Sequence, residues 1–161
     1  MAIPASIAEF LRSKGIPYSV LTHRTAFTAQ QEAAAAHIRG REWAKTVVCF
    51  ADNEPILAVL PAHYRIDLEQ LRRLAGAKSI RLAEEREFAT LYPECEAGAM
   101  PPLGPLYGQR VYVDSALTVD PEVVFNAGTH TDAVRVRYDT LARAVSPVVG
   151  QFGHSPGHPS H

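Results

Sequence analysis

The sequence has few cysteines, no long apolar run and almost no net charge. Its 161 residues include two cysteines, and 16 Lys and Arg are balanced by 17 Asp and Glu. Two cysteines are too few for a disulfide framework or a cysteine-based zinc site, which favours a reducing compartment. No window approaches the roughly 20 apolar residues of a membrane span, and no export signal is visible. We therefore expect a soluble, cytoplasmic protein with no membrane partner.

The composition is that of a globular protein, since 47% of the residues are hydrophobic. A chain of this length buries roughly two thirds of its unfolded surface in one domain. The near-zero net charge provides no global field for nucleic acid, so a polyanion must be bound by a local patch. The sequence predicts a single domain over residues 1–149. From Gly150 onward the sequence GQFGHSPGHPSH predicts a flexible tail over residues 150–161 that buries nothing.

Helix and strand signals alternate along the chain. Apolar spacing and capping residues predict helices over 6–14, 30–38, 68–75, 84–91 and 140–145, with Ser6 and Glu9 as a capping box and Asp67 as a cap. Valine-rich or alternating segments predict strands over 18–21, 43–51, 56–61, 79–82, 110–114, 123–126 and 133–138. Residues 92–108 show neither the helical nor the strand periodicity of apolar residues and are predicted to form an ordered loop. The local hairpins indicate an α+β fold: a mixed, mostly antiparallel central sheet with helices packed around it.

Lys45 is the most informative single residue. It lies in WAKTVVCF, a predicted strand with apolar neighbours. An ammonium in such a setting must find an anionic or carbonyl partner or lose its proton. The alternative is a lysine at the end of a strand that extends its amine into solvent.

Two loops also carry residues suited to chemistry. In EAGAMPPLG, Gly98 would let backbone N–H groups approach a ligand closely, as a carbonyl or oxyanion site requires. In FNAGTHTD, Gly128 offers a second close approach and His130 is a potential base or hydrogen-bonding group. A structural turn of the same composition is the alternative for both segments, and spacing alone favours it for FNAGTHTD.

No established nucleophile or cofactor motif accompanies these residues. Cys49 is predicted to be a buried core residue, because strand burial suppresses thiolate formation. The sequence contains no GxSxG elbow, no phosphate-binding glycine loop and no paired metal-ligand motif, so we expect no cofactor and no metal. The histidines of the tail have no rigid scaffold to hold a metal.

Several motifs occur together in one order, and the set resembles a known family. From the N-terminus they are His23 with TAQQEAA, Lys45 in AKTVV, LAVLPAHYRIDLEQLRRLAGAKSIRLA, a GxxxP loop from Gly98 to Pro102, VYVDSAL and VFNAG. The set is similar to the YbaK and prolyl-tRNA synthetase-associated editing domain family. The resemblance runs from about residue 23 to residue 141. It implies a YbaK-like fold and a freestanding hydrolase that deacylates mischarged tRNA.

The resemblance also implies roles for particular residues. Lys45 matches the lysine most needed for activity in that family, and Gly98 matches the glycine that helps bind the aminoacyl carbonyl. The reaction cuts the ester between a small amino acid and the 3′-terminal ribose, with a water or a group of the substrate as nucleophile. The remaining residues expected to contact the substrate are His23, Thr46, Ala99, Met100, Pro102, Gly128, Thr129, His130 and Asp132.

The expected partner is the acceptor end of an aminoacyl-tRNA, with a synthetase or an elongation factor as a further partner. Ala99 stands where some family members have a second glycine, and Thr129 and His130 are also departures, so the amino acid removed stays open. Two alternatives accompany this hypothesis. One is a non-catalytic module of the same fold that binds the tRNA acceptor end or a synthetase. The other is a thiol-dependent enzyme that uses Cys95.

Overall fold

The computed structural model describes residues 3–22 and 43–155, and every structural statement below concerns those residues. Their helices are α1 (Ala5–Ser13), α2 (Leu68–Ala75), α3 (Glu85–Leu91), α4 (Gly104–Tyr107) and α5 (Tyr138–Val145). Their strands are β1 (Tyr18–Thr22), β2 (Ala44–Ala51), β3 (Glu54–Pro61), β4 (Arg65–Ile66), β5 (Ile80–Leu82), β6 (Arg110–Asp114), β7 (Glu122–Asn126), β8 (Asp132–Arg137), β9 (Val148–Gly150) and β10 (Gly153–His154). In this part of the chain, every helix is too short or too polar to cross a bilayer.

The strands form a mixed and mostly antiparallel arrangement, which confirms the predicted α+β fold. A five-stranded sheet has the order β5-β2-β3-β6-β9, and a three-stranded sheet has the order β1-β8-β7. Only the β3–β6 and β6–β9 pairs are parallel among the described strand pairs. The short strands β4 and β10 form a separate antiparallel pair. The predicted central sheet is therefore divided into a larger and a smaller sheet.

The main hydrophobic core lies between these two sheets. Alternate residues of β2, β3 and β6 face the inner residues of β7 and β8, and α1 and α5 add apolar side chains to the same cluster. A second cluster covers the other face of the larger sheet, where Leu71 of α2 packs with Phe152. Because side chains alternate along a strand, adjacent residues of β2 face different clusters.

The β2–β3 hairpin and helix α2 follow their sequence signals closely. Asp52 and Asn53 form the turn with φ values of 48° and 71°, which is the backbone conformation of a tight hairpin turn. The Asp67 carboxylate accepts the Gln70 N–H at 3.0 Å, and Gly76 ends α2 in the left-handed conformation. Both elements were predicted, although the hairpin turn is shorter than the four polar residues suggested.

Three predictions about local structure are wrong. Ser6 does not cap α1: Pro4 precedes the helix, Ser6 contacts Glu94, and Glu9 pairs with Arg12. The predicted loop at 92–108 contains α4. The predicted flexible tail is ordered from Gly150 to Ser155, since Gly150 is the last residue of β9, β10 lies at Gly153–His154 and Phe152 is fully buried. The predicted helix at 30–38 and the residues from 156 onward lie outside the described residues.

Candidate active site

Lys45 lies near the start of β2, opposite Leu60 of β3. The two residues share the sheet face covered by the second cluster. Burial, and then the positive charge of Arg65, lower the pKa of the Lys45 amine from its usual value. Among the described residues no carboxylate pairs with this amine. Lys45 is thus a half-buried cation, unlike a lysine that extends freely into solvent.

The start of β2 also lies beside the smaller sheet. Trp43 forms a parallel bridge with Val124 of β7, and both side chains are buried in one small cluster. Two residues further along each strand are Lys45 and Asn126, which therefore share the same face as that bridge. Asn126 is the last residue of β7 and begins the FNAGTHTD loop. Lys45 therefore lies on a strand that adjoins β7 close to the end from which this loop leaves the sheet.

Thr46 faces the opposite way from Lys45. It pairs with Val59, a residue of the main core, and its Oγ1 is buried with no hydrogen-bond partner in the described part of the chain. The expectation that Thr46 lines one pocket together with Lys45 conflicts with this alternation of side chains. Its contact with substrate stays a prediction.

The GxxxP loop has an exposed half and a buried half. Gly98 is exposed and has φ +85°, a conformation that L side chains rarely adopt. Its N–H donates no hydrogen bond to a described residue. Ala99 and Met100 are buried, and Pro102 lines a void of about 10 Å³ beside Val59, a space for one water at most. Ala99, Met100 and Pro102 therefore anchor the loop in the core, while Gly98 is presented to solvent.

The two predicted loops are joined by main-chain hydrogen bonds. The Glu96 N–H donates to the Gly128 carbonyl at 2.8 Å, and the Gly128 N–H donates to the Ala99 carbonyl at 2.9 Å. Gly128 has φ +99°, and a Cβ there would lie 2.7 Å from Cγ of Pro4. The close approach made by Gly128 is thus to Pro4, which gives this glycine a packing role.

His130 lies directly beside Gly98. Its Nε2 is 2.7 Å from the Ala97 carbonyl oxygen, which accepts only, so Nε2 carries the proton and donates. The His130 N–H donates to the Glu96 carboxylate at 2.7 Å. A Cβ on Gly98 would lie 3.5 Å from Cε1 of His130. The imidazole therefore holds the exposed half of the GxxxP loop, and Glu96 is a supporting residue that the sequence reasoning missed.

Thr129 and Asp132 form the turn that carries His130. The Thr129 hydroxyl donates to the Asp132 carboxylate at 2.9 Å and accepts the Asp132 N–H at 3.0 Å. Asp132 is buried at the start of β8. These contacts match the turn interpretation of FNAGTHTD, and direct contacts of Thr129 or Asp132 with substrate stay predictions. His23 lies outside the described residues.

Neither cysteine has the surroundings of a nucleophile. Burial raises the pKa of the Cys49 thiol to about 12. Burial also raises the pKa of Cys95, whose sulfur lies 3.7 Å from the Tyr107 hydroxyl. Since the thiolate is the reactive form, both residues are poor nucleophiles at neutral pH. The arrangement instead offers a cation, an exposed N–H and a fixed imidazole.

Comparison with solved structures shows the class of fold. The chain aligns with the hypothetical protein APE2540 at a TM-score of 0.82 and 21% identity, covering 92% of this chain and 99% of that one. It aligns with a candidate trans-editing enzyme for prolyl tRNA synthetase at a TM-score of 0.79 and 23% identity, covering 95% and 99%. At these identities the likeness shows a shared fold, that of YbaK-like editing proteins.

Sequence comparison then shows the family. The family model for the aminoacyl-tRNA editing domain matches residues 23–144. The chain therefore belongs to the aminoacyl-tRNA editing domain family, as its motifs predicted. A curated relative is the proline–tRNA ligase of Anaeromyxobacter sp. (strain K), which is 28% identical over 135 residues. That alignment covers 82% of this chain and 23% of the ligase, so the chain spans about a quarter of this relative.

Proposed function

We propose that the chain is a trans-acting deacylase, active in the cytoplasm, that hydrolyses the ester between a small amino acid and the 3′-terminal ribose of a mischarged tRNA. The observation that carries this proposal is the half-buried Lys45, which has no carboxylate partner among the described residues and lies two residues beyond the bridge of Trp43 to β7, the strand that leads into the loop bonded to the Gly98 loop. Membership of the editing domain family supports the same reaction class. A synthetase or an elongation factor would supply additional affinity, because the chain has a net charge of only −1.

In this mechanism, Lys45 binds a phosphate or ribose oxygen of the terminal nucleotide and thereby positions the ester. The free N–H of Gly98 donates to the acyl carbonyl oxygen. This hydrogen bond strengthens as negative charge develops on that oxygen. The attacking oxygen comes from water, either directly or after attack by a ribose hydroxyl of the substrate. The ester C–O bond breaks, the ribose oxygen takes a proton, and the products are free amino acid and uncharged tRNA.

His130 has a positioning role in this scheme. Its Nε2–H is already donated to the Ala97 carbonyl, so this nitrogen holds the loop and is not free to act as a base. Fixing Ala97 fixes the direction of the adjacent Gly98 N–H. Preorganised donors of this kind stabilise a developing oxyanion without reorganising during the reaction.

The relatives suggest which substrate to examine first. One relative is a proline–tRNA ligase, and one structural neighbour is a candidate trans-editing enzyme for prolyl tRNA synthetase. The aminoacylation site of a synthetase that accepts proline cannot strongly exclude smaller amino acids, because one methylene contributes only about 1 to 3 kcal/mol to discrimination. We therefore propose tRNA(Pro) carrying alanine as the first candidate, with cysteine and serine next.

The test is a deacylation assay over tRNAs charged with alanine, cysteine, serine and proline. We expect turnover of one small aminoacyl-tRNA and a loss of at least about 100-fold in Lys45→Ala. Lys78→Ala is the matched control. Lys78 is an exposed lysine whose backbone N–H donates to Asp52, just beyond the other end of β2, and the variant should retain full activity. Binding of tRNA with no turnover of any substrate would instead identify a non-catalytic binding module. Full activity in Lys45→Ala would overturn the mechanism.

A further inference from the structure

The chain turns beside the start of β2 immediately after β3. The Ala62 N–H donates to the Trp43 carbonyl at 2.7 Å, and the Tyr64 N–H donates to the Pro61 carbonyl at 2.9 Å. The rings of His63 and Tyr64 pack edge to face with centroids 4.9 Å apart, which stiffens the turn. This turn brings Arg65 to the end of β2 that carries Lys45.

Arg65 differs from most arginines of the described surface. Those on α1, α2, β5, α3 and β8 each have a carboxylate within 4.0 Å; they are Arg12, Arg72, Arg73, Arg81, Arg86, Arg135 and Arg137. Arg65 is exposed and has no such carboxylate among the described residues. Its positive charge acts on the Lys45 amine and helps to lower the pKa of that amine. Two cations held together without an anion repel each other, and a bound anion would remove that cost.

The position of Arg65 is fixed by pairing of β4 with β10, near the C-terminal end of the described residues. On β4, Arg65 pairs with His154 and Ile66 pairs with Gly153 of β10. The buried Asp114 carboxylate accepts the N–H groups of Phe152 and Gly153 at 2.9 and 2.8 Å, which anchors β10. The nearby Asp67 carboxylate is occupied by the Gln70 N–H and by His154 at 3.4 Å. Arg65 is therefore held on a braced strand, with its guanidinium left available.

We propose that Arg65 is a second phosphate-binding residue beside Lys45, and that the two cations bind neighbouring phosphates at the 3′ end of an RNA. A guanidinium suits this task because its planar donors bind phosphate oxygens in pairs. The assignment to RNA rests on the proposed function. The pair of cations itself rests on the β3–β4 turn and on the missing carboxylate.

The experiment compares Arg65→Ala with Arg110→Ala. Arg110 is also exposed and without a described carboxylate partner, but it lies opposite Ile56, next to the far end of the β2–β3 hairpin. Affinity for an uncharged RNA hairpin ending in CCA is measured across a range of salt concentrations. We expect Arg65→Ala to bind about tenfold more weakly, with the log–log salt slope smaller by about 1. Arg110→Ala should match the parent, and Arg65→Lys should recover part of the loss.

A second readout separates this role from a structural one. Loss of a neighbouring cation should raise the pKa of the Lys45 amine in Arg65→Ala, observable by NMR of the lysine side chain. In deacylation, Arg65→Ala should raise KM more than it lowers kcat, since a phosphate contact lies away from the reacting ester.

Three outcomes would overturn the proposal: unchanged RNA affinity and salt slope in Arg65→Ala, an equal loss in Arg110→Ala, or displacement of the RNA by millimolar inorganic phosphate, which would indicate an isolated phosphate site. None of these outcomes bears on the deacylase assignment, which the assay over charged tRNAs tests separately. Conversely, weaker RNA binding in Arg65→Ala together with no turnover of any charged tRNA by the parent would refute the deacylase assignment and keep the two-cation site.

Discussion

Two charged residues withdrawn from water, Asp114 and Lys45, differ in how the fold treats them. Asp114 is 1% exposed, and its carboxylate accepts three backbone N–H groups, from Ala116, Phe152 and Gly153. Lys45 is half-buried, has no carboxylate partner among the described residues and lies near another cation. A buried charge with internal partners stabilises the fold, whereas one without them costs stability and is available to a ligand.

The backbone N–H groups in and around the GxxxP loop also differ in whether they have internal partners. The N–H groups of Glu96, Ala99 and Gly128 are bonded to carbonyls within the loops. Gly98 lies between Glu96 and Ala99 in the sequence and is exposed, and its N–H has no partner among the described residues. The loops are therefore rigid, and one donor is left for a ligand. Rigid surroundings with a few unsatisfied groups are the arrangement expected of a preorganised site.

The largest effect should come from removing the internally bonded charge. Asp114→Ala leaves buried N–H groups of Phe152 and Gly153 without an acceptor, so we expect a loss of about 3 to 5 kcal/mol in the free energy of unfolding. Urea denaturation measures this loss. Asp139→Ala is the control, since Asp139 is exposed and pairs with Arg137 on the surface; its effect should stay within about 0.5 kcal/mol. Equal effects in the two variants would contradict the distinction.

Gly98→Ala should affect activity more than stability. The backbone at φ +85° disfavours alanine, so we expect the backbone to shift and to displace the Gly98 N–H; the new methyl itself would make only an ordinary contact with His130 at 3.5 Å. We expect deacylation to fall about 10- to 100-fold, with about 1 kcal/mol of destabilisation.

Gly76 provides a matched control for that variant. It has φ +66°, and a Cβ there would meet nothing within 4 Å. Gly76→Ala should therefore be destabilised by a similar amount and keep its activity. If both glycine variants lose activity equally, backbone strain alone explains the result, and Gly98 has no special role.

The smallest expected effect is on the free energy of unfolding, which the half-buried charge of Lys45 lowers. Burial and Arg65 lower the pKa of the Lys45 amine in the folded state, so the unfolded chain binds this proton more readily. Below the folded-state pKa of Lys45, the charged amine destabilises the folded chain by its full amount. As the pH rises from the folded-state pKa to the unfolded-state pKa, this destabilisation disappears. Lys45→Met should be as stable as the parent or more stable at neutral pH, by up to about 1 kcal/mol, and should lack this rise at alkaline pH.

Thermal unfolding of the parent and Lys45→Met between pH 7 and pH 10.5 measures both quantities. Lys14→Met is a control at an exposed lysine directly after α1 and should follow the parent. A Lys45→Met variant clearly less stable than the parent at neutral pH would mean that the amine has an internal partner. That result would also weaken the proposed phosphate site.

Much of the local structure followed from the sequence. The Asp67 cap, the end of α2 at Gly76 and the hairpin at Asp52 and Asn53 depend on residues within a few positions of each other. The same local reasoning failed at Ser6, because its hydroxyl contacts Glu94 instead of capping α1. It failed again at Phe152, whose burial depends on contacts with the distant α2 and β6.

The site shows the same division. The residue types at Lys45, Gly98 and His130, and their order along the chain, were enough to indicate the editing family, because each motif is local. The sequence could not show that His130 bonds to Ala97, that Thr46 and Lys45 face different clusters, or that Arg65 lies beside Lys45. Those facts are set by strand pairing and by contacts between residues far apart in the chain. Burial and the positions of neighbouring charges, which decide what an ionisable group does, exist only once the chain is folded.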